Sequence, residues 1–195
     1  MLLLCSPWGL TSALKDKAHE LADEGFSVLA PDLNHGVEAD DADHARELLL
    51  EADMNVTASL IQSSLRLLVA AGEDPTAPVG VIGYAAGASW ALWLSARFPH
   101  LCAAVAAYYG TQSISFEGAR ARYLLHFAGH DPDVSDDDIA LLGLSLQMAG
   151  REFCVEQHPD AAAGFAEGAH PNFDAVVEAA AWRQTVDFLK ATLLA

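Results

Sequence analysis

Two textures of apolar residues alternate along the chain. Short, mostly unbroken apolar runs stand at Leu2–Cys5, Phe26–Ala30, Val79–Ile82, Ala103–Tyr108, Tyr123–Phe127 and, with more polar content, Glu152–Gln157. Such runs suit parallel strands covered on both faces. Between them, apolar positions recur at helical spacing. Leu14, Ala18, Leu21 and Ala22 share one face of a helix that Thr11 or Ser12 can cap and Gly25 can close. Helical periodicity runs from about Ala45 to Ala71, as two helices broken near Asn55, then again over Ala86–Arg97, Asp136–Met148 and Asp174–Leu194. The acidic start of the Asp136 helix suits the helix dipole. Asn34–Asp43 reads as a polar, acidic loop. Strands alternating with helices predict an α/β fold: a doubly wound, mostly parallel sheet with helices on both faces. Ligands in such sheets bind beyond the carboxyl ends of the strands. The loops after Cys5, Ala30, Ile82, Tyr108, Phe127 and Gln157 are therefore the places for chemistry.

Composition narrows the picture. With 195 residues, 52% of them hydrophobic and 19% charged, the chain is expected to form a single domain over residues 1–195 with a real core. Acidic residues number 27 against 10 Lys and Arg, giving a net charge of -17. That balance disfavours nucleic acid and anionic membranes as partners, since both are held by clustered basic residues. The run Val79–Ala96 is apolar, but Gly80, Gly83 and Gly87 interrupt it and its texture changes from strand to helix midway. No secretory signal is visible at the start, and Cys5, Cys102 and Cys154 all sit in apolar runs, so the expectation is a cytoplasmic protein with buried, reduced thiols.

Three loops carry candidate chemistry. Gly83-Tyr84-Ala85-Ala86-Gly87 stands between a strand and a helix, the frame of a nucleophile elbow, in which a strained turn thrusts the central side chain into the site. Its central residue is Ala85, which has no nucleophile. The glycines equally fit close packing of strand against helix. Asp131, after the Tyr123–Phe127 strand, can orient a histidine or close a turn. His158-Pro159-Asp160-Ala161-Ala162-Ala163-Gly164-Phe165 follows the last strand, with His170 beyond it. His126 and His130 straddle a strand end without metal-ligand spacing, so no metal is expected. With no glycine-rich phosphate fingerprint after the first strand, no cofactor is expected either.

These motifs resemble the dienelactone hydrolase family of α/β-hydrolases. Leu29-Ala-Pro-Asp-Leu33 is similar to the family's segment after its second core strand, and Val79 to Gly87 to its elbow. Val105 to Gly110, Phe127 to Val134, His158 to Phe165 and Trp182 to Leu189 resemble further family segments in the same order. The resemblance implies an α/β-hydrolase fold, shortened at its N-terminal side, and carboxylic-ester or lactone hydrolysis by a nucleophile, an acid and a histidine. The departures are specific. The nucleophile position falls on Ala85 and the histidine position on Ala163, while the acid is retained as Asp131. The first-loop glutamate is replaced by Ser6. The following oxyanion donor becomes Pro7, which has no N–H, and the other donor survives at Ala86. The substrate-binding arginine aligns with Glu167. Together these losses fit natural degeneration better than a single trapping substitution.

The resemblance therefore implies a pseudoenzyme that binds a small molecule or a protein. The alternative is an ester or lactone hydrolase, or another small-molecule enzyme, that works through relocated groups. Cys5, Ser6, Tyr84, Ser89, His130, Asp131 and His170 are the candidates for that. The pocket over Ala85 is expected to be small and largely apolar, crowded by Trp8, Tyr84 and Phe165, and to take a neutral ligand or none. The chain starts inside the sheet, so an open edge makes a homo-oligomer a further expectation.

Overall fold

A computed structural model describes residues 1–72, 74 and 76–194. One parallel sheet runs in the order β1 (Leu2–Leu4), β2 (Val79–Tyr84), β3 (Cys102–Tyr108), β4 (Arg122–His130), β5 (Phe153–Ala162). Alternation along each strand sends side chains to two opposite cores. Leu2, Leu4, Val81, Val105, Leu125 and Phe127 pack beneath α3 (Met54–Ala71), α4 (Ala86–Arg97) and α5 (Asp136–Met148). Leu3, Ile82, Tyr84, Ala106 and Tyr108 pack on the other face against α1 (Ser12–Asp23) and α6 (Ala175–Leu193). The remaining helix, α2 (Ala42–Glu51), buries only Ala45 and lies over the carboxyl ends of the strands beside the first loop.

Local chemistry sets the boundaries. Thr11 caps α1 by accepting from the Leu14 N–H at 3.3 Å. Ser135 and Asp138 form a reciprocal capping box at the acidic start of α5. The break between α2 and α3 falls at Ala52–Asp53, slightly ahead of Asn55, because Asp53 caps α3 by accepting from the Asn55 and Val56 N–H groups.

Three expectations need correction. Phe26–Ala30 is not a full strand: only Leu29 pairs, as an isolated bridge to Leu2. Its partner β1 is three residues long and Pro31, which has no N–H, follows directly, so the pairing ends at once. β5 continues past Gln157 to Ala162 through Pro159, which a sheet edge tolerates because no outer neighbour needs its N–H. That edge position also leaves Cys154 exposed, whereas Cys5 and Cys102 are buried.

Candidate functional site

The turn from β2 into α4 carries the strain. Ala85 has φ 48° and ψ -116°, a backbone region that side-chain-bearing residues rarely adopt. Its N–H donates to the Tyr108 carbonyl at 3.0 Å, and its own carbonyl accepts from Ala88 at 2.9 Å and Ser89 at 3.2 Å. A β-carbon at position 83 would stand 2.2 Å from the Gly87 carbonyl oxygen, and one at 87 would stand 2.4 Å from that of Cys5. The glycines thus let β2, α4 and the end of β1 touch backbone to backbone, and the turn between them is forced into its strained form. The two roles left open by the sequence coincide. No side chain caps α4, and the Ala85 carbonyl takes the N–H groups of Ala88 and Ser89.

Above Ala85 lies a cavity of about 590 Å³, bounded by Ser6, Pro7 and Trp8, by α2, and by the loops around Asp131 and Ala163. It is larger than the small pocket expected, and acidic and hydroxyl groups share its lining with a greater apolar area. Two residues expected to crowd it point elsewhere. Tyr84 is buried in the core, stacked on Tyr108 at 4.7 Å, and Phe165 is buried against Tyr109 and His158. Of the three aromatics only Trp8 reaches the cavity.

Asp131 lies on one side. Its Oδ1 closes a turn by accepting from the Asp133 N–H at 2.8 Å and the Val134 N–H at 3.2 Å. Its Oδ2 is buried with no hydrogen-bond partner. Burial raises the carboxyl above its ordinary range, with the two backbone donors opposing. Ala163, beside the same cavity, offers only a methyl group, and its N–H donates to the His130 carbonyl at 2.9 Å. The imidazole of His130 is exposed and does not line the cavity. His170 does, with its ring edge-on to Trp8 at 4.9 Å and Nδ1 accepting from the Asn172 N–H at 3.1 Å. It makes no hydrogen bond to Asp131, and burial lowers its pKa, which keeps the ring neutral.

Glu167 lies on the other side of the cavity. Its carboxylate accepts a short hydrogen bond from Ser6 Oγ and one of 3.0 Å from the Tyr109 hydroxyl. Burial pushes it up to about 7, with both hydroxyls opposing the rise. Ser6 Oγ in turn accepts from the Trp8 N–H at 3.2 Å, which locks the first loop. Tyr109 is a participant that the sequence marked only as part of a motif. It sits at φ 39°, the second strained residue at these strand ends, and that turn aims its hydroxyl at Glu167. Its neighbour Gly110 is the signal that a sharp turn follows β3.

The other candidates are engaged elsewhere. Cys5 is buried, and desolvation pushes its thiol up to about 11, so it is protonated and unreactive at neutral pH. Ser89 Oγ donates to the Thr111 carbonyl at 2.7 Å. His126 is fully buried, held neutral by burial with a pKa of about 3, and shares hydrogen bonds with His158 at 3.1 Å and Thr185 at 3.1 Å.

The strained strand-to-helix turn and the parallel sheet with helices on both faces define an α/β-hydrolase fold. The chain belongs to the dienelactone hydrolase family, whose pattern matches residues 2–193. It is 27% identical over 196 residues to the "Putative carboxymethylenebutenolidase" of Aquifex aeolicus (strain VF5), an overlap of 95% of this chain and 85% of that protein. Protein usf of Aquifex pyrophilus is 26% identical over 196 residues, with the same coverage. Among solved structures, a dienelactone hydrolase-like promiscuous phosphotriesterase from metagenomic libraries superposes with a TM-score of 0.83. It is 22% identical, over 98% of this chain and 85% of that one. Among the described residues, no helix is long and apolar enough to cross a membrane.

Proposed function

We propose that this chain is a non-hydrolytic member of its family, a small-molecule-binding protein built on a hydrolase scaffold. The observation that carries this is the orphaned Asp131 Oδ2 beside a cavity lined by Ala85 and Ala163, the residues on which the sequence resemblance puts the nucleophile and the base. A carboxylate that orients a catalytic histidine is hydrogen-bonded to it; here nothing replaces that partner. In triad hydrolases the loss of nucleophile or base removes about six decades of rate, roughly 8 kcal/mol of transition-state stabilisation. Pro7 takes away an oxyanion donor as well, in itself worth about 3 kcal/mol. A cavity of about 590 Å³ remains, within the size range of small-molecule sites.

The contact between Ser6 and Glu167 supports one competitor: ester or lactone hydrolysis with Ser6 as nucleophile and Glu167 as base. Ser6 is 3% exposed and its oxygen already accepts from the Trp8 N–H, which favours a structural lock over an attacking group. Steady-state hydrolysis of an activated aryl ester separates the two. Turnover no faster than a matched control protein is expected. Turnover that disappears in Ser6→Ala or His170→Ala would replace the binding function with a relocated enzyme.

A further inference from the structure

The cavity has a charge pattern of its own. Acidic side chains reach it from α2 (Asp43), from the loop after β4 (Asp131, Asp133) and from the loop after β5 (Glu167). Against them stands one cationic side chain, Arg46, exposed at the mouth on the same helix as Asp43 and one turn along from it. His170 adds no charge, because burial holds it neutral. The sign of the cavity agrees with the net charge of -17 and lies opposite to what an anionic ligand needs.

Glu167 is the group best placed to use that sign. Both of its partners are neutral hydroxyls, and each carboxylate oxygen accepts one of them, leaving lone pairs on both oxygens. No Lys or Arg among the described residues pairs with it, although other acids of the chain have such partners. A partly buried carboxylate held in place but without a counter-charge is an unfilled position for a cation.

The cavity also has apolar lining from α2. Leu49 and Leu50 of α2 line it, and they are 44% and 76% exposed. An amphipathic helix that covered only its own core would turn such residues inward; here they line the cavity, as does Trp8, whose ring favours a neighbouring cation.

Resting on the ligand-binding function above, we propose that the cavity takes a small organic cation, with an ammonium head at Glu167 and an apolar body against Leu49 and Leu50. This reverses the charge preference that the arginine of the related dienelactone enzymes implies.

Calorimetric titration of the full chain with three matched probes, hexylammonium, hexanol and hexanoate, tests it. Hexylammonium is expected to bind tightest and hexanoate weakest. Its affinity should rise roughly tenfold from pH 6 to pH 8, as a carboxyl with pKa near 7 goes from about one-tenth to about nine-tenths ionised. Of the groups around the cavity, burial moves Cys5, Tyr84 and Tyr109 upward, Asp131 upward and His170 downward, so the Glu167→Gln comparison is what assigns the pH dependence to Glu167. Glu167→Gln should flatten the pH dependence, while Glu167→Asp should retain part of it. Leu50→Ser should weaken hexylammonium and hexanol alike. Tightest binding of hexanoate, through Arg46 and the start of α4, would overturn the cation assignment and leave the ligand-binding function standing. A pH dependence that persists in Glu167→Gln would overturn Glu167 as the anchor. Failure of all three probes to bind would overturn the assignment; only aryl-ester turnover would overturn the non-hydrolytic function with it.

Discussion

Two carboxylates face one cavity, and they stand in opposite conditions. Half of the hydrogen-bonding capacity of Asp131 is unused. Glu167 is held from both sides, by Ser6 and by Tyr109. Under the proposed function, Asp131 is the family's acid without its histidine, and Glu167 stands in for an arginine and has two hydroxyl partners. A residue's role is then set by its partners rather than by its type.

Rebuilding the lost partner is the largest perturbation of this comparison. Ala85→Cys with Ala163→His places a thiol on the elbow and an imidazole beside Asp131 Oδ2. Each single change should add little to aryl-ester turnover, because triad members act as a unit. The double variant should gain measurable activity, and Pro7→Ile should add up to about two decades more through the recovered oxyanion donor. Asp131→Asn in the same background should remove the gain. A double variant that remains inactive while correctly folded would show that Asp131 can no longer orient a base.

Glu167 and His126 should act on the pH dependence of stability in opposite directions, with buried His126 costing stability as pH falls below about 6.5 and Glu167 costing it as pH rises. The folded pKa of Glu167, about 7, exceeds its ordinary value of 4.5. The folded state therefore holds that proton more tightly. The resulting stabilisation is complete below about pH 4.5 and is lost as pH rises through about 7. The span corresponds to about 3 kcal/mol. Glu167→Gln keeps an acceptor and offers an amide donor to either hydroxyl, so it should be more stable than the parent at pH 8 by up to that amount, or about 6–10 °C in Tm. Equal melting temperatures at pH 8 would remove the carboxylate's burial from the account.

Tyr109→Phe should cost about 2 kcal/mol at pH 8, where it strips a charged acceptor of a donor, and nearer 1 kcal/mol at pH 5, where the acceptor is neutral. NMR titration of Glu167 in that variant should give a still higher pKa. The smallest effect belongs to Asp131→Asn. Oδ1 continues to serve the turn while a disfavoured buried charge is removed, so denaturant midpoints at pH 7 should shift upward by about 1 kcal/mol at most, with an unchanged m-value. A large loss on Asp131→Asn would mean that Oδ2 has a partner in solution.

Elements governed by local chemistry were legible in the sequence. α4 and α5 match their predicted limits, Ala86–Arg97 and Asp136–Met148, because a glycine-framed turn starts one and a Ser–Asp capping box starts the other. The parallel sheet with helices on both faces followed from alternation of strand and helix. Pairing at an edge was less legible: Phe26–Ala30 has strand composition but meets a neighbour of only three residues, and Cys154 looks buried only if β5 is taken for an inner strand. At the site, the loops were located from the fold, yet the size of the cavity was not, since it depends on Tyr84 and Phe165 turning into the core and on α2 standing over the strand ends. The contact between Ser6 and Glu167 spans 161 positions. No local pattern reports it; the only trace is a glutamate absent from one motif and present in another.

Ala85 extends the comparison to the main chain. In a working hydrolase, elbow strain is explained by the nucleophile it presents. Here a φ of 48° carries only a methyl group at its tip, and close backbone packing at Gly83 and Gly87 holds it. Ala85→Gly relieves the side-chain part of the strain, of order 1 kcal/mol, offset in part by the unfolded-state freedom that glycine adds. What remains measures how much of the turn's tension belongs to the architecture alone.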